Sequence, residues 1–386
     1  MNLPQPSPEA LEQSGHLVAR LHSLIEDQGG WISFATYMAE ALYAPALGYY
    51  SGGARKFGAG GDFITAPELT PLFGQAIATQ IQQIMELSAP HIIEAGAGTG
   101  LLAADLLLEL ELRGALPESY AILEVSGELR ERQFDTLATK VPHLAPRVRW
   151  LDSLPEHFSG ALLANEVLDV MPVHIVAWRA DGIFERGVAL GESGQFVWAD
   201  RPVNGKVAEA AEALARPLPS EGEYVSELNL AGRAWIAELA KRLDKGAMLL
   251  VDYGYPRAEY YLDSRSTGTL LCYFRHHAHG DPFLWPGLND ITAFVDFTAI
   301  AEAGFEAGLD VLGYTDQANL LFNCGVLACL ARRAPETSPD YIRSAKAVQR
   351  LTGPHEMGEL FKVIAMGRGI EQPLIGFLRG DRLHAL

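Results

Sequence analysis

The stretch that most constrains this chain is HIIEAGAGTGLLAADLLLEL, His91 to Leu110: a short apolar run, a glycine-rich turn, then a periodic helix. Within the turn, Glu94, Gly96, Gly98 and Gly100 spell E-x-G-x-G-x-G, and glycines lacking a Cβ let the backbone bend tightly and approach a ligand closely. Downstream, by about one helix and one strand, Glu124 ends the apolar run of SYAILEVSGEL, where a carboxylate can accept hydrogen bonds from both hydroxyls of a ribose. A P-loop is excluded because no G-K-[ST] follows to hold a terminal phosphate and its magnesium. A dinucleotide-binding dehydrogenase spaces its glycines G-x-G-x-x-G, whereas here they are evenly spaced behind an acidic residue. A tight strand-to-helix turn without a ligand remains the plain structural alternative.

From His91 the pattern alternates strand and helix: strands at 91–95, 119–125, 147–151 and 160–165, helices at about 100–113 and 126–140. Such alternation predicts a parallel, doubly wound α/β sheet, whose ligands sit outside the carboxyl ends of the strands. Glu94, Glu124, Asp152 and the pair Asn165-Glu166 all fall at those ends and draw one cleft. Residues 173–202 switch to period-two alternation with turns at Asp181-Gly182 and Ser193-Gly194, which predicts an antiparallel, β-rich insertion. EYVSEL and GAMLLVDYGYP then read as a return to the nucleotide-type core, DITAFVDFTAIAEAG as a helix, and FEAGLDVLGYT with FKVIAMGRG as a closing β-pair. The domain reading that follows is a helical cap and cofactor-closing loop over 1–90, and a Rossmann-like core over 91–386 with insertions at about 173–223, 254–289 and 316–350. Within the cap, Ser33 reads as a helix N-cap, and the glycine- and aromatic-rich connection between Ala44 and Gly74 reads as a functional loop.

Composition narrows the class. With 48% apolar residues over 386 positions the chain can build a sizeable core, and no apolar run approaches the roughly 20 residues that span a bilayer. No signal or transit pattern is seen, so the expected location is the cytoplasm, without membrane insertion. Cys272, Cys324 and Cys329 are too few for a disulfide framework, which fits a reducing compartment. Thirty basic against 48 acidic side chains leave a net charge of −18, which disfavours nucleic acid and favours a basic partner. The group Cys272, His276, His277 and His279 matches no four-ligand zinc spacing, so no metal is expected. Nothing in the sequence bears on the oligomeric state.

The chain resembles the MidA family, S-adenosyl-L-methionine (SAM)-dependent methyltransferases of class I whose mitochondrial members are complex I assembly factors. Besides the glycine turn, the resemblance rests on GDFITAPELTPLFG (61–74), LEVSGELRERQ (123–133), ANEVLDVMPV (164–173), LVDYGYP (250–256), the Gly268 to His276 segment, DITAFVDF (290–297) and EMGELFKV (356–363). It implies a class I fold, SAM as cofactor, and methyl transfer to a protein arginine, in the mitochondrial case on a core complex I subunit. A methyltransferase of small molecules or of another side chain, and an assembly chaperone that binds SAM only to stabilise itself, are the alternatives.

Given SAM, roles can be assigned. Asn165 is placed to touch the methionine end, Asp62 and Thr65 to close over its amino and carboxylate groups, and Asp152 to face adenine. A guanidinium is a poor nucleophile because it is protonated and delocalised. Carboxylates gripping it in bidentate fashion orient one nitrogen, and Glu166 with Asp169 are the candidates, with His276 shaping the acceptor pocket. The bland readings are that Glu166 caps a helix and Asp169 faces water, that Asp62 makes an Asp-turn, and that Asp152 is an exposed loop residue.

Overall fold

A computed structural model describes residues 3–52, 65–333 and 335–386. Apolar β-formers in short runs make the central sheet: β1 (His91–Ala95), β2 (Ser119–Leu123), β3 (Val148–Leu151), β4 (Phe158–Asn165), β5 (Leu243–Tyr255), β6 (Asp310–Asp316) and β7 (Phe361–Arg368). They lie side by side in the order β6-β7-β5-β4-β1-β2-β3. The neighbours β3, β2, β1, β4 and β5 are parallel, while β7 runs antiparallel to both β5 and β6. The chain therefore walks outward from β1 to β3 and returns to start again at β4, on the other side of β1. That reversal of strand order is the point at which open α/β sheets leave a crevice at the carboxyl ends of their strands.

The expected α/β fold of a class I methyltransferase, a Rossmann-like doubly wound sheet with helices at the N-terminus and a β-rich insertion, is the one observed. Helices Leu72–Leu87 and Leu101–Leu112 pack their apolar stripes on the sheet, Ile77, Ile81 and Ile84 meeting Leu106, Leu110 and the strand residues Ile92 and Leu163 in one core. At about 25 cal/mol per Å² of apolar surface removed from water, each such aliphatic side chain contributes on the order of 2 kcal/mol, so the glycine turn is anchored at both its strand and its helix.

The chain divides into two compact units that interleave: one comprises Met1–Phe63, Leu168–Ala234 and Arg257–Val295, the other Ile64–Val167, Trp235–Pro256 and Asp296–Leu386. The units thus do not divide at residue 90, because helix Leu72–Leu87 belongs with the central sheet. In the first unit, helix Pro8–Asp27 and the Ser33-capped helix Phe34–Tyr43 bury Leu17, Leu21, Phe34 and Tyr37 in one cluster with Val173, Ile175 and Val188. Strands His174–Arg179, Gly182–Leu190 and Phe196–Pro202 form the expected antiparallel meander.

Two expectations are corrected. EYVSEL does not rejoin the central sheet: Glu223–Leu228 pairs antiparallel with His174–Arg179 and extends the meander. DITAFVDFTAIAEAG is helical only from Phe297, and Asp290–Thr292 pairs with Leu271–Phe274 as a strand. FEAGLDVLGYT and FKVIAMGRG form the β6–β7 pair as expected.

Candidate active site

After β1 the chain passes through Gly96 (φ +66°), Gly98 (φ +51°) and Gly100 (φ +81°), all left-handed. Only glycine suits two of these positions for a second reason: a Cβ on Gly96 would lie 2.8 Å from Val167 Cγ2, and one on Gly100 3.0 Å from the Gln133 Cα. Gly100 is the N-cap of helix Leu101–Leu112, so the first N–H groups of that helix stand at the end of the turn. From the segment before it, Thr65 sits at the N-cap of the short helix Ala66–Leu69, and Glu68 Oε1 accepts a hydrogen bond from Thr99 Oγ1 at 2.6 Å. Thr65 is therefore tethered near the glycine turn through Glu68, a residue sequence reasoning missed. Asp62 lies outside the described residues.

Glu124 follows β2 and is buried. Its Oε1 accepts from the Ser126 N–H at 2.9 Å and its Oε2 from Gln133 Nε2 at 3.1 Å. Burial raises its pKa, against the lowering effect of the Ser126 and Gln133 hydrogen bonds. An ionised carboxylate offers about four acceptor positions, so two protein donors leave room for a ribose diol. Gln133 is the unforeseen centre of this corner. Wholly buried, it also donates to the Gly98 carbonyl at 3.1 Å and accepts from Trp150 Nε1 at 2.8 Å. Its signal in the sequence is a polar residue on the apolar stripe of helix Gly127–Lys140, midway between Leu129 and Leu137. Arg130 braces the same corner, donating to the Glu124 carbonyl at 2.7 Å and the Leu151 carbonyl at 2.8 Å, and pairing with Asp152 at 2.8 Å. The Asp152 side chain is 91% exposed, so its visible work is holding Arg130.

Glu94 points into the sheet, where its Oε2 accepts from Tyr120 Oη at 2.6 Å. Burial lifts its pKa from 4.5 to about 7, opposed by the Tyr120 hydrogen bond and reinforced by the charge of Glu124. Below about pH 4.5 the carboxyl is protonated folded or unfolded; between there and about 7 only the folded protein keeps the proton. Stability should therefore fall as pH rises through that window, by about 3 kcal/mol for a shift of this size. Denaturant titrations from pH 4.5 to 8 should show that slope, shared with Asp105, whose pKa burial lifts to about 6, and Glu94→Gln should reduce it; an equal slope in the variant would assign it to other groups.

At the end of β4, Asn165 Nδ2 donates to Glu166 Oε1 at 2.9 Å, while Asn165 Oδ1 is buried with no hydrogen-bond partner among the described residues. A buried acceptor without a donor costs about 1–3 kcal/mol, and a ligand ammonium supplies what is missing. Glu166 is left-handed at φ +54°, a conformation costing a non-glycine residue about 1–3 kcal/mol, and its neighbours enforce it. The Glu166 N–H donates to the Val251 carbonyl at 2.9 Å, and the Val167 N–H to Asp252 Oδ2 at 3.1 Å. No helix starts there, so Glu166 is not a helix cap.

Asp169 does not face water either: it is 3% exposed, and its carbonyl accepts from the Ala293 N–H at 2.9 Å within the first unit. His276 lies in the same unit, exposed at the tip of the hairpin joining Leu271–Phe274 to His277–His279, where both Arg275 and His276 have positive φ. Among the described residues no group of three or more His, Cys, Asp or Glu is placed to hold a metal.

Residues Gly96 to Gly100, Glu124 and Asn165 thus occupy adjoining strand ends of one unit, and the unpartnered Asn165 Oδ1 beside a glycine cradle fits a ligand with a ribose at one end and an ammonium at the other. Comparison with known proteins bears on which ligand that is. A family model of SAM-dependent methyltransferases matches residues 72–315. A mitochondrial protein arginine methyltransferase NDUFAF7 homolog of Drosophila melanogaster is 30% identical, with 98% of this chain and 93% of that protein aligned. The mouse protein arginine methyltransferase NDUFAF7 is 31% identical over 95% of this chain and 86% of its own. A crystal structure from Burkholderia thailandensis, bound to S-adenosyl-homocysteine, superposes with a TM-score of 0.96 at 51% identity, covering 100% of both chains.

Proposed function

This chain belongs to the SAM-dependent methyltransferases, and from that premise we propose that its methyl acceptor is an arginine of a protein. SAM supplies a methyl group activated by a sulfonium, so the protein has only to align an acceptor nitrogen and keep water out. Glu124 and the glycine turn would hold the ribose and the methionine end, and Asn165 Oδ1 would accept from the amino group. The observation that carries the acceptor reading is Glu166. A carboxylate kept in a strained conformation at the end of β4, beside the orphaned Asn165 oxygen, is a costly arrangement for a residue without work. Such a carboxylate suits the gripping of a guanidinium. The names of the curated relatives, protein arginine methyltransferases, point the same way.

In this reading the substrate is a respiratory complex I subunit or a similar basic protein, met in a reducing cytoplasm where the buried, free Cys272, Cys324 and Cys329 stay thiols. The net charge of −18 would steer such a partner. Intact-mass and peptide proteomics of a strain lacking this protein tests the reading. One protein should lose mass in steps of a methyl group, at an arginine, and regain it when the gene is restored but not when Glu166→Gln is supplied. A loss confined to a metabolite, or none at all, would overturn it.

A further inference from the structure

Behind the cofactor corner, helix Gly127–Lys140 and the end of β3 border an open, shallow cleft of about 490 Å³ lined by Arg130, Glu131, Phe134, Asp135 and Trp150. Its chemistry is specific. Phe134, 57% exposed, and Trp150 set their rings 6.2 Å apart at 50°, a tilted pair open to a flat cation on one side. Glu131, Phe134 and Asp135 are spaced i, i+3, i+4 and so share one helix face. Arg130 is spent on Glu124, Leu151 and Asp152, whereas the side chains of Glu131 and Asp135 take no hydrogen bond or ion pair from any described residue. The cleft therefore offers aromatic faces with two uncommitted negative charges. An apolar guest would leave those charges unanswered; a guanidinium stacks on the rings and pairs with the carboxylates. Among the described residues β3 ends the path of the sheet and pairs on one side only, the kind of edge that an extended segment can join.

We infer that this cleft docks an arginine side chain of the protein substrate, at a position other than the methyl acceptor. The inference rests on the reading that the acceptor is a polypeptide. It gives the enzyme a second contact on the substrate, away from the reacting atoms, that selects basic, extended segments.

The test is fluorescence polarisation of a labelled peptide of six Gly-Arg repeats, at physiological ionic strength, on the full chain with SAM present. Glu131→Gln/Asp135→Asn and Phe134→Ala should each weaken binding about tenfold, the size expected for losing a cation–π contact or its flanking ion pairs. Glu209→Gln/Glu212→Gln removes the same net charge from an exposed helix of the other unit and should leave binding unchanged. A citrulline version of the peptide should bind wild type no better than the cleft variants bind the arginine peptide. Equal weakening in both acidic doubles, equal affinity for citrulline, or no binding by wild type would overturn the inference. Methyl label counted on the same peptide keeps the two readings apart. Transfer in wild type with KM unmoved in the cleft variants defeats the docking site alone; cleft-dependent peptide binding, with methyl found on the native protein substrate at a residue other than arginine, defeats the arginine reading alone.

Discussion

Glu166→Gln should lower single-turnover methyl transfer to the protein acceptor by about 10²–10³ while leaving SAM affinity by calorimetry at the wild-type value. The amide keeps the shape of the side chain and can still meet Asn165, whose Nδ2 now donates to Glu166 Oε1 at 2.9 Å. What it loses is the negative charge that localises the guanidinium cation. The backbone gives an independent handle. Glu166→Gly relieves a left-handed residue at φ +54° and should raise stability by about 1 kcal/mol while transfer falls at least as far as in the glutamine variant. A site that is stabilised by the change that silences it holds strain for function. Near-normal transfer in Glu166→Gln would remove this carboxylate from the chemistry.

Glu124→Ala is expected to cost SAM at least about tenfold in affinity, since two charge-assisted hydrogen bonds to the ribose, each worth about 1.5–3 kcal/mol, would disappear. The hydrogen-bond pattern adds a finer expectation. Gln133 holds Glu124 at 3.1 Å and the Gly98 carbonyl at 3.1 Å with the same amide nitrogen. Gln133→Leu should therefore weaken SAM binding without removing any group assigned to the ligand, because carboxylate and turn lose their shared tether. Unchanged affinity in Glu124→Ala would move the ribose elsewhere.

The frame of the site was legible because each of its parts has a local signature. β1, the glycine turn and helix Leu101–Leu112 announce themselves by a change of period at glycines that must be glycines, and Glu124, Asn165 and Glu166 stand at strand ends that composition alone marks. What was not legible depends on partners distant in the chain. EYVSEL has the alternation of a strand, but alternation is silent on which neighbour it takes, and His174–Arg179 competes successfully with the central sheet. Gln133 reads as one polar residue in an amphipathic helix until folding brings Gly98, Glu124 and Trp150 to its amide. Burial of Asp169 and exposure of Asp152 are likewise set by packing, so the two aspartates could not be told apart by their position after strands.

The place of β7 bears on how the protein is made. β6 is synthesised before β7 but joins the sheet only through it, since β7 lies between β5 and β6. While the ribosome translates the helices between them, β6 waits as an unpaired strand, and the crevice bearing Glu124 and Asn165 stands on an unfinished floor. The sheet closes from its middle, late, by an antiparallel insertion whose contacts are far apart in the chain, a slow step by the general relation between contact distance and folding rate. Quality control in the cell would meet this protein as a nascent chain with one strand unpaired, which makes the interval before Phe361 to Arg368 emerges the moment at which a chaperone has most to offer it.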